Sequence, residues 1–157
     1  MSVISFYFRT KRKFHNWSQL RKVGKYGENT NVFGDVTIVN PSNLTIGNNC
    51  SLNHGVYINA FNPIVLGDDV TISASAKLLS TGIDYDSWIK GEKKHTQTGE
   101  IQIGNHVWIG CGAIISPGVS ISGEFVVIAA GAVVTHDISE SYCLYGGCPA
   151  KMIKSLK

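Results

Sequence analysis

The sequence predicts an all-β chain wound into a parallel β-helix, with three short strands per coil and about five coils. Three observations carry this prediction. Val and Ile together number 31 of 157 residues against 8 Leu, and β-branched side chains favour strands over helical bundles. Gly fills 17 positions, above its average frequency of roughly 7%. Most telling, aliphatic residues recur every six positions: Ile46, Leu52 and Ile58; Leu66, Ile72 and Leu78; Ile103, Ile109 and Ile115; then Ile121, Ile128 and Val134 with one extra residue inside the set. Val32, Ile38 and Leu44 form a weaker set upstream.

A period of six suits neither an amphipathic helix nor an alternating strand. It suits a triangular prism in which one aliphatic side chain per hexapeptide points inward and stacks on its counterpart a coil away. Gly follows the aliphatic position at Ile46-Gly47, Leu66-Gly67, Ile103-Gly104 and Ile109-Gly110, where a Cβ would crowd the turning backbone. Hydrogen bonds then run between coils, so the stack is cooperative.

The elements follow in chain order. Residues 1–30 form a basic, aromatic N-terminal segment. Residues 31–138 form the β-helix, interrupted by a loop at 79–102 that breaks the repeat. A loop of that length on a rigid stack is usually functional. Residues 139–157 form a C-terminal tail that ends in a short basic helix.

The net charge of +3 conceals an asymmetry. Arg9, Lys11, Arg12, Lys13, Arg21, Lys22 and Lys25 fall in residues 1–27 without one acid, which gives that segment +7 and the remainder −4. Phe6, Tyr7, Phe8, Phe14 and Trp17 lie among them. Two readings stand: a solvated helix capping the end of the domain, or peripheral attachment to an anionic membrane surface. No base-reading motif accompanies the charge, so nucleic acid is not an expected partner. No apolar run approaches the ~18 residues of a spanning helix. The positive charges follow the first apolar stretch rather than precede it, unlike a secretory signal. Cys50, Cys111, Cys143 and Cys148 show no CxxC or zinc spacing and read as free buried thiols. The expected location is the cytoplasm, at most peripheral to a membrane.

Four segments, in order, carry a resemblance. They are Ile103-Gly104-Asn105-His106-Val107-Trp108-Ile109-Gly110, Ile115-Ser116-Pro117-Gly118-Val119, Ala129-Ala130-Gly131-Ala132-Val133-Val134-Thr135, and Gly146-Gly147-Cys148-Pro149-Ala150-Lys151. Over about residues 44–154 the chain resembles the hexapeptide-repeat acyltransferases, closest to the galactoside, maltose and polysaccharide O-acetyltransferase group. The N-terminal 30 residues do not resemble the helical segment of the galactoside and maltose enzymes. The resemblance implies a left-handed β-helix, a homotrimer, and acetyl-coenzyme A as donor in a groove between subunits.

By resemblance, Asn53 matches the asparagine at the acceptor and thioester site, and Trp108 the tryptophan walling the acyl end of the groove. Cys111, Ala129, Ala130 and Thr135 fall where small residues line the pantetheine arm. His136 falls on a coenzyme-contacting lysine, and Lys151 and Lys154 match basic residues near the phosphates. The physical reasons agree: small residues admit a narrow amide-bearing arm, and lysines complement a polyanionic nucleotide.

Acyl transfer to a sugar hydroxyl needs a base, and histidine suits the task. The resemblance puts the base at position 83, which is Ile83. His95, on the same loop, is the candidate to replace it, with Asp84 to orient it. His54, His106 and Tyr85 are assigned to the acceptor. The developing oxyanion needs a donor, from backbone N–H or the Asn53 amide. The histidines lack the close pair that zinc-dependent β-helix carbonic anhydrases use, so no metal is expected. The expected reaction is acetyl transfer from acetyl-coenzyme A to a hydroxyl of a sugar or surface-polysaccharide precursor. N-acetylation of a nucleotide-linked amino sugar, or a non-catalytic trimeric scaffold, are the alternatives.

Overall fold

The computed structural model describes residue 11, residues 15–92 and residues 96–157. A helix, α1, spans residues 15–20. Strands β1 (Lys25–Tyr26), β2 (Asn31–Phe33) and β3 (Thr37–Val39) make the first coil. β4 (Leu44–Ile46), β5 (Ser51–Asn53) and β6 (Tyr57–Asn59) make the second, and β7 (Ile64–Leu66), β8 (Thr71–Ile72) and β9 (Lys77–Leu79) the third. The chain then leaves the stack through β10 (Thr81–Ile83), helix α2 (Tyr85–Ile89) and β11 (Thr96–Thr98). It rejoins at β12 (Ile101–Ile103), β13 (Trp108–Ile109) and β14 (Ile114–Ile115), and continues through β15 (Ser120–Ile121), β16 (Val126–Ile128) and β17 (Val133–Val134). A partial sixth coil is formed by the bridge from Ile138 to Ile121 and by β18 (Cys143–Gly147), against which β19 (Ala150–Ser155) folds back.

Three parallel sheets result: β1-β4-β7-β12-β15 is face A, β2-β5-β8-β13-β16-β18-β19 is face B, and β3-β6-β9-β14-β17 is face C. Pairing within each stack is parallel except for the antiparallel β18–β19 turn-back. This is the left-handed parallel β-helix that the sequence predicts. The twelve aliphatic residues of the four strong sets are at most 3% exposed. Each removes a whole side chain from water, a gain of about 1.5–3 kcal/mol.

The corner between faces A and B repeats one backbone conformation in every coil. Asn29, Asn49, Asp69, His106, Phe125 and Tyr142 all have φ between 55° and 57°. Asn and Asp tolerate this left-handed conformation. The bulky rings stack at their corner, with His106 and Phe125 centroids 4.4 Å apart and Phe125 and Tyr142 4.8 Å apart. Just before that corner stands a column of glycines. A Cβ on Gly67 would lie 2.9 Å from the Gly104 backbone, closer than real Cβ atoms pack. That is why Gly follows the inward aliphatic residue.

Several boundaries differ from the sequence reading. β1 already pairs with β4, so the coil starts at Lys25 rather than 31, and its first inward rung position is Tyr26, 42% exposed. Leu44 consequently opens the second coil beside Ile46 instead of closing the first. Leu79, Ile101 and Gln102 stay in the stack, which shortens the extruded segment to residues 80–100. The C-terminal basic helix is not formed. Residues 150–155 are strand because the open edge of β18 offers unpaired backbone groups that an antiparallel return satisfies. Cys50 and Cys143 are buried free thiols, but Cys111 and Cys148 are exposed, since they occupy turns rather than the prism interior. The N-terminal helix does cap the stack, with Leu20 and Val23 buried in the core.

Candidate functional site

An open groove of about 470 Å³ runs along face B toward its corner with face C, lined by Phe33, Ser51, Asn53, Thr71, Ser73, Ala74, Trp108 and Cys111. The inter-coil register builds it. Ser51 pairs with Thr71 and Thr71 with Trp108, so their outward side chains form one column. Phe33 pairs with Asn53 in the adjacent column. Asn53 is anchored: its Nδ2 donates to the Ile72 carbonyl at 2.9 Å, which fixes the amide plane and leaves Oδ1 and the second N–H for the groove. Trp108 is 55% exposed and forms a wall.

Above the groove lies the B–C corner. Gly112 donates to the Ala74 carbonyl and Gly131 to the Cys111 carbonyl, which stacks Ala74, Cys111 and Ala130 along the axis. A Cβ built on Gly112 or Gly131 would meet nothing within 4 Å. The corner strip is therefore open backbone at Gly112 and Gly131, while His54 and Ser75 stand on it in the two coils before them. From the Asn53 coil to the β18–β19 turn it covers four coils, about 19 Å at roughly 4.8 Å each. Ala129 donates its N–H to Tyr145 and flanks the strip. The exposed Lys151 and Lys154 lie on β19 beyond the last coil, Lys151 opposite Gly146 on the B–C side and Lys154 opposite Leu144 on the A–B side. A narrow chain bearing amides, with anionic groups at one end, fits this strip.

The structure thus brings together Asn53, Trp108 and Cys111, and continues through Ala129 and Ala130 toward Lys151 on β19, the strand that also carries Lys154. It does not bring Thr135 and His136 to them. Those two lie at the C–A corner, beyond face C, with Thr135 Oγ1 2.8 Å from His136 Nδ1. His54 follows Asn53 in an exposed turn and packs against Gly34. His106 lies at the A–B corner, 3.6 Å from Asp69 and stacked on Phe125, and does not line the groove. Phe33, Ser51, Thr71, Ser73 and Ala74 were not singled out by sequence; adding one coil of twenty residues to Phe33 and Asn53 would have reached Asn53 and Ser73.

A second cavity of about 320 Å³ lies on the extruded segment, lined by Ile83, Asp84, Tyr85, Asp86 and Gln97. β10 and β11 pair antiparallel, Ile83 opposite Thr96. Asp84 caps α2, accepting from the backbone N–H of Asp86 and Ser87 and from the Ser87 hydroxyl at 2.9 Å. The Ser87 hydrogen bonds hold its carboxyl below the usual aspartate range. That carboxylate is occupied by its own helix. Tyr85 is 67% exposed beside it. His95 lies outside the described residues. Among the described residues no cluster of three or more His, Cys, Asp or Glu is arranged to hold a metal ion, and no helix is long and apolar enough to cross a membrane.

No protein-family model matches the chain. Individual relatives do. The galactoside O-acetyltransferase of Escherichia coli K12 is 35% identical over 132 residues, covering 83% of this chain and 63% of that protein. The chain therefore spans about three fifths of the length of that relative. A dTDP-4-amino-4,6-dideoxy-D-glucose acyltransferase of Escherichia coli is 30% identical over 164 residues, covering 86% of this chain and 84% of that protein. Among solved structures, a hexapeptide-repeat acetyltransferase of Vibrio cholerae in complex with acetyl-coenzyme A superposes with a TM-score of 0.84 at 29% identity, over 92% of this chain and 78% of that one. With its six-residue period, its left-handed coil and these relatives, the chain belongs to the hexapeptide-repeat acyltransferases.

Proposed function

We propose that this chain is an acetyl-coenzyme A-dependent O-acetyltransferase acting on a hydroxyl of a sugar or surface-polysaccharide precursor. The observation that carries the reading is the groove holding Asn53, Trp108 and Cys111, which continues along the B–C corner toward Lys151 on β19, the strand that also carries Lys154. The donor supplies an activated thioester carbonyl. The Cys111 and Ala130 corner would hold its pantetheine arm, Trp108 would wall the acyl end, and Lys151 and Lys154 would meet its phosphates. Asn53 would stabilise the oxyanion with its free amide N–H. The acceptor oxygen forms the new C–O bond as a base takes its proton, and the C–S bond breaks to release the thiol. His95 is our choice of base, with His54 the nearest described imidazole in sequence to Asn53. The groove is open on one side, and we assign its closure to a neighbouring subunit of a homotrimer, with exposed Val39, Phe61 and Val65 as candidates for the subunit contacts.

A second reading is favoured by Ile83. Isoleucine accepts no proton, and the described groove residues include no imidazole or carboxylate. An amine that is already deprotonated needs less help from a base, so N-acetylation of a nucleotide-linked amino sugar suits this site as well. One assay separates the readings: pure protein, acetyl-coenzyme A, and neutral sugars or amino sugars, followed by free thiol. Release with neutral sugars supports the first reading and release only with amino sugars the second. No release with either refutes both and leaves a trimeric scaffold.

A further inference from the structure

The N-terminal cap presents a surface that the groove does not use. Helix α1 and the turn after it turn one side inward: Leu20 is 1% exposed and Val23 8%. Gly24 donates to the Pro41 carbonyl and Val32 donates its N–H to Asn16 Oδ1, so the segment is fixed to the end of the β-helix. The segment carries exposed Lys11, Trp17, Arg21, Lys22 and Lys25, and Tyr26 is 42% exposed at the first rung. The Arg21 guanidinium sits 5.6 Å from the Trp17 ring centroid. Residues 1–27 hold seven basic side chains and no acid, while the other 130 residues are net acidic. Of these seven, the described Lys11, Arg21, Lys22 and Lys25 are exposed on the segment that caps the prism.

We infer that this end docks on an anionic lipid bilayer, with the basic side chains against the headgroups and Trp17 and Tyr26 at the interface. Charge complementarity selects an anionic partner. The aromatic residues select a bilayer over other polyanions, because Trp and Tyr rings settle at the boundary between headgroups and hydrocarbon. Docking is through the end cap, and the groove runs away from that end along face B from Phe33 to Cys111. This holds whether or not the proposed acetyl transfer is correct.

The experiment is sedimentation of the full chain with vesicles of phosphatidylcholine plus phosphatidylglycerol, against vesicles of phosphatidylcholine alone. Pelleting with the anionic vesicles only, weakening as salt is raised, is expected. The variant Arg21→Gln, Lys22→Gln, Lys25→Gln changes only exposed side chains. It should lose about a hundredfold in apparent affinity, at roughly fivefold per basic residue, with an unchanged melting temperature. A milder variant, Lys22→Gln alone, should lose about fivefold and keeps the test open if the triple variant does not fold. Equal pelleting of both vesicle types, no pelleting at all, or equal pelleting of parent and folded variants would overturn the inference. Binding of random-sequence DNA without vesicle pelleting would also overturn it and reassign the surface to nucleic acid.

Discussion

Asn53 makes the sharpest residue-level claim. Its amide is held by the Ile72 carbonyl at 2.9 Å while the rest faces the groove. Replacing it with Ala should lower kcat by about 10²–10³, the usual loss for one oxyanion donor, with a smaller change in KM. Trp108→Ala acts differently. An aromatic wall that is 55% exposed contributes little to folding, so the KM for acetyl-coenzyme A should rise about tenfold with the melting temperature unchanged. Steady-state thiol release over a range of donor concentrations separates the two. A pH prediction attaches to Tyr145, whose hydroxyl donates to Glu140 Oε2 at 2.8 Å. Burial, then Glu140, pushes the phenol from 10.0 up to about 12, and the same bond lowers the Glu140 carboxyl. A raised phenol stabilises the fold below pH 10 and loses that contribution as pH rises toward 12. The lowered carboxyl contributes above its ordinary range and loses it in acid. Tyr145→Phe should therefore flatten the alkaline limb of a melting temperature against pH curve between about pH 10 and 12.

At the scale of the coil, stability is shared between neighbours, so damage spreads. Ile72 is fully buried and paired with both Leu52 and Ile109. Ile72→Ala should cost about 2–5 kcal/mol in urea unfolding, far more than any exposed face residue. Gly110→Ala should also be severe, because its Cβ would lie 2.6 Å from the Ile128 carbonyl oxygen and the Ala130 nitrogen. The six-residue period made these strands legible, since one side chain in six is forced inward. It could not announce β19. Residues 150–155 hold no repeat, and only the open edge of β18 makes them a strand. Nor could it give the first rung, where Tyr26 stands exposed in place of an aliphatic residue.

For the whole molecule, the groove is a consequence of stacking. Asn53 is far in sequence from the neighbouring Trp108 and Cys111 and meets them because each coil returns to the same face. Resemblance reached those three; the coil register would have added Ser51, Thr71 and Ser73, which no motif marks. Thr135 and His136 fall one corner away because face C intervenes. The base was not legible, since position 83 is isoleucine and a loop histidine is placed by contacts that no repeat encodes. Sedimentation equilibrium should give a mass three times that of one chain; a single-chain mass would leave the groove open on one side and remove the subunit that closes it.

The most direct measurement is the thiol freed when the pure protein meets acetyl-coenzyme A with a set of neutral and amino sugars, run beside Asn53→Ala. We expect saccharide-dependent release that nearly vanishes in the variant. Donor bound along the B–C corner yet no saccharide-dependent release, or equal release from both proteins, would contradict a transferase built around Asn53.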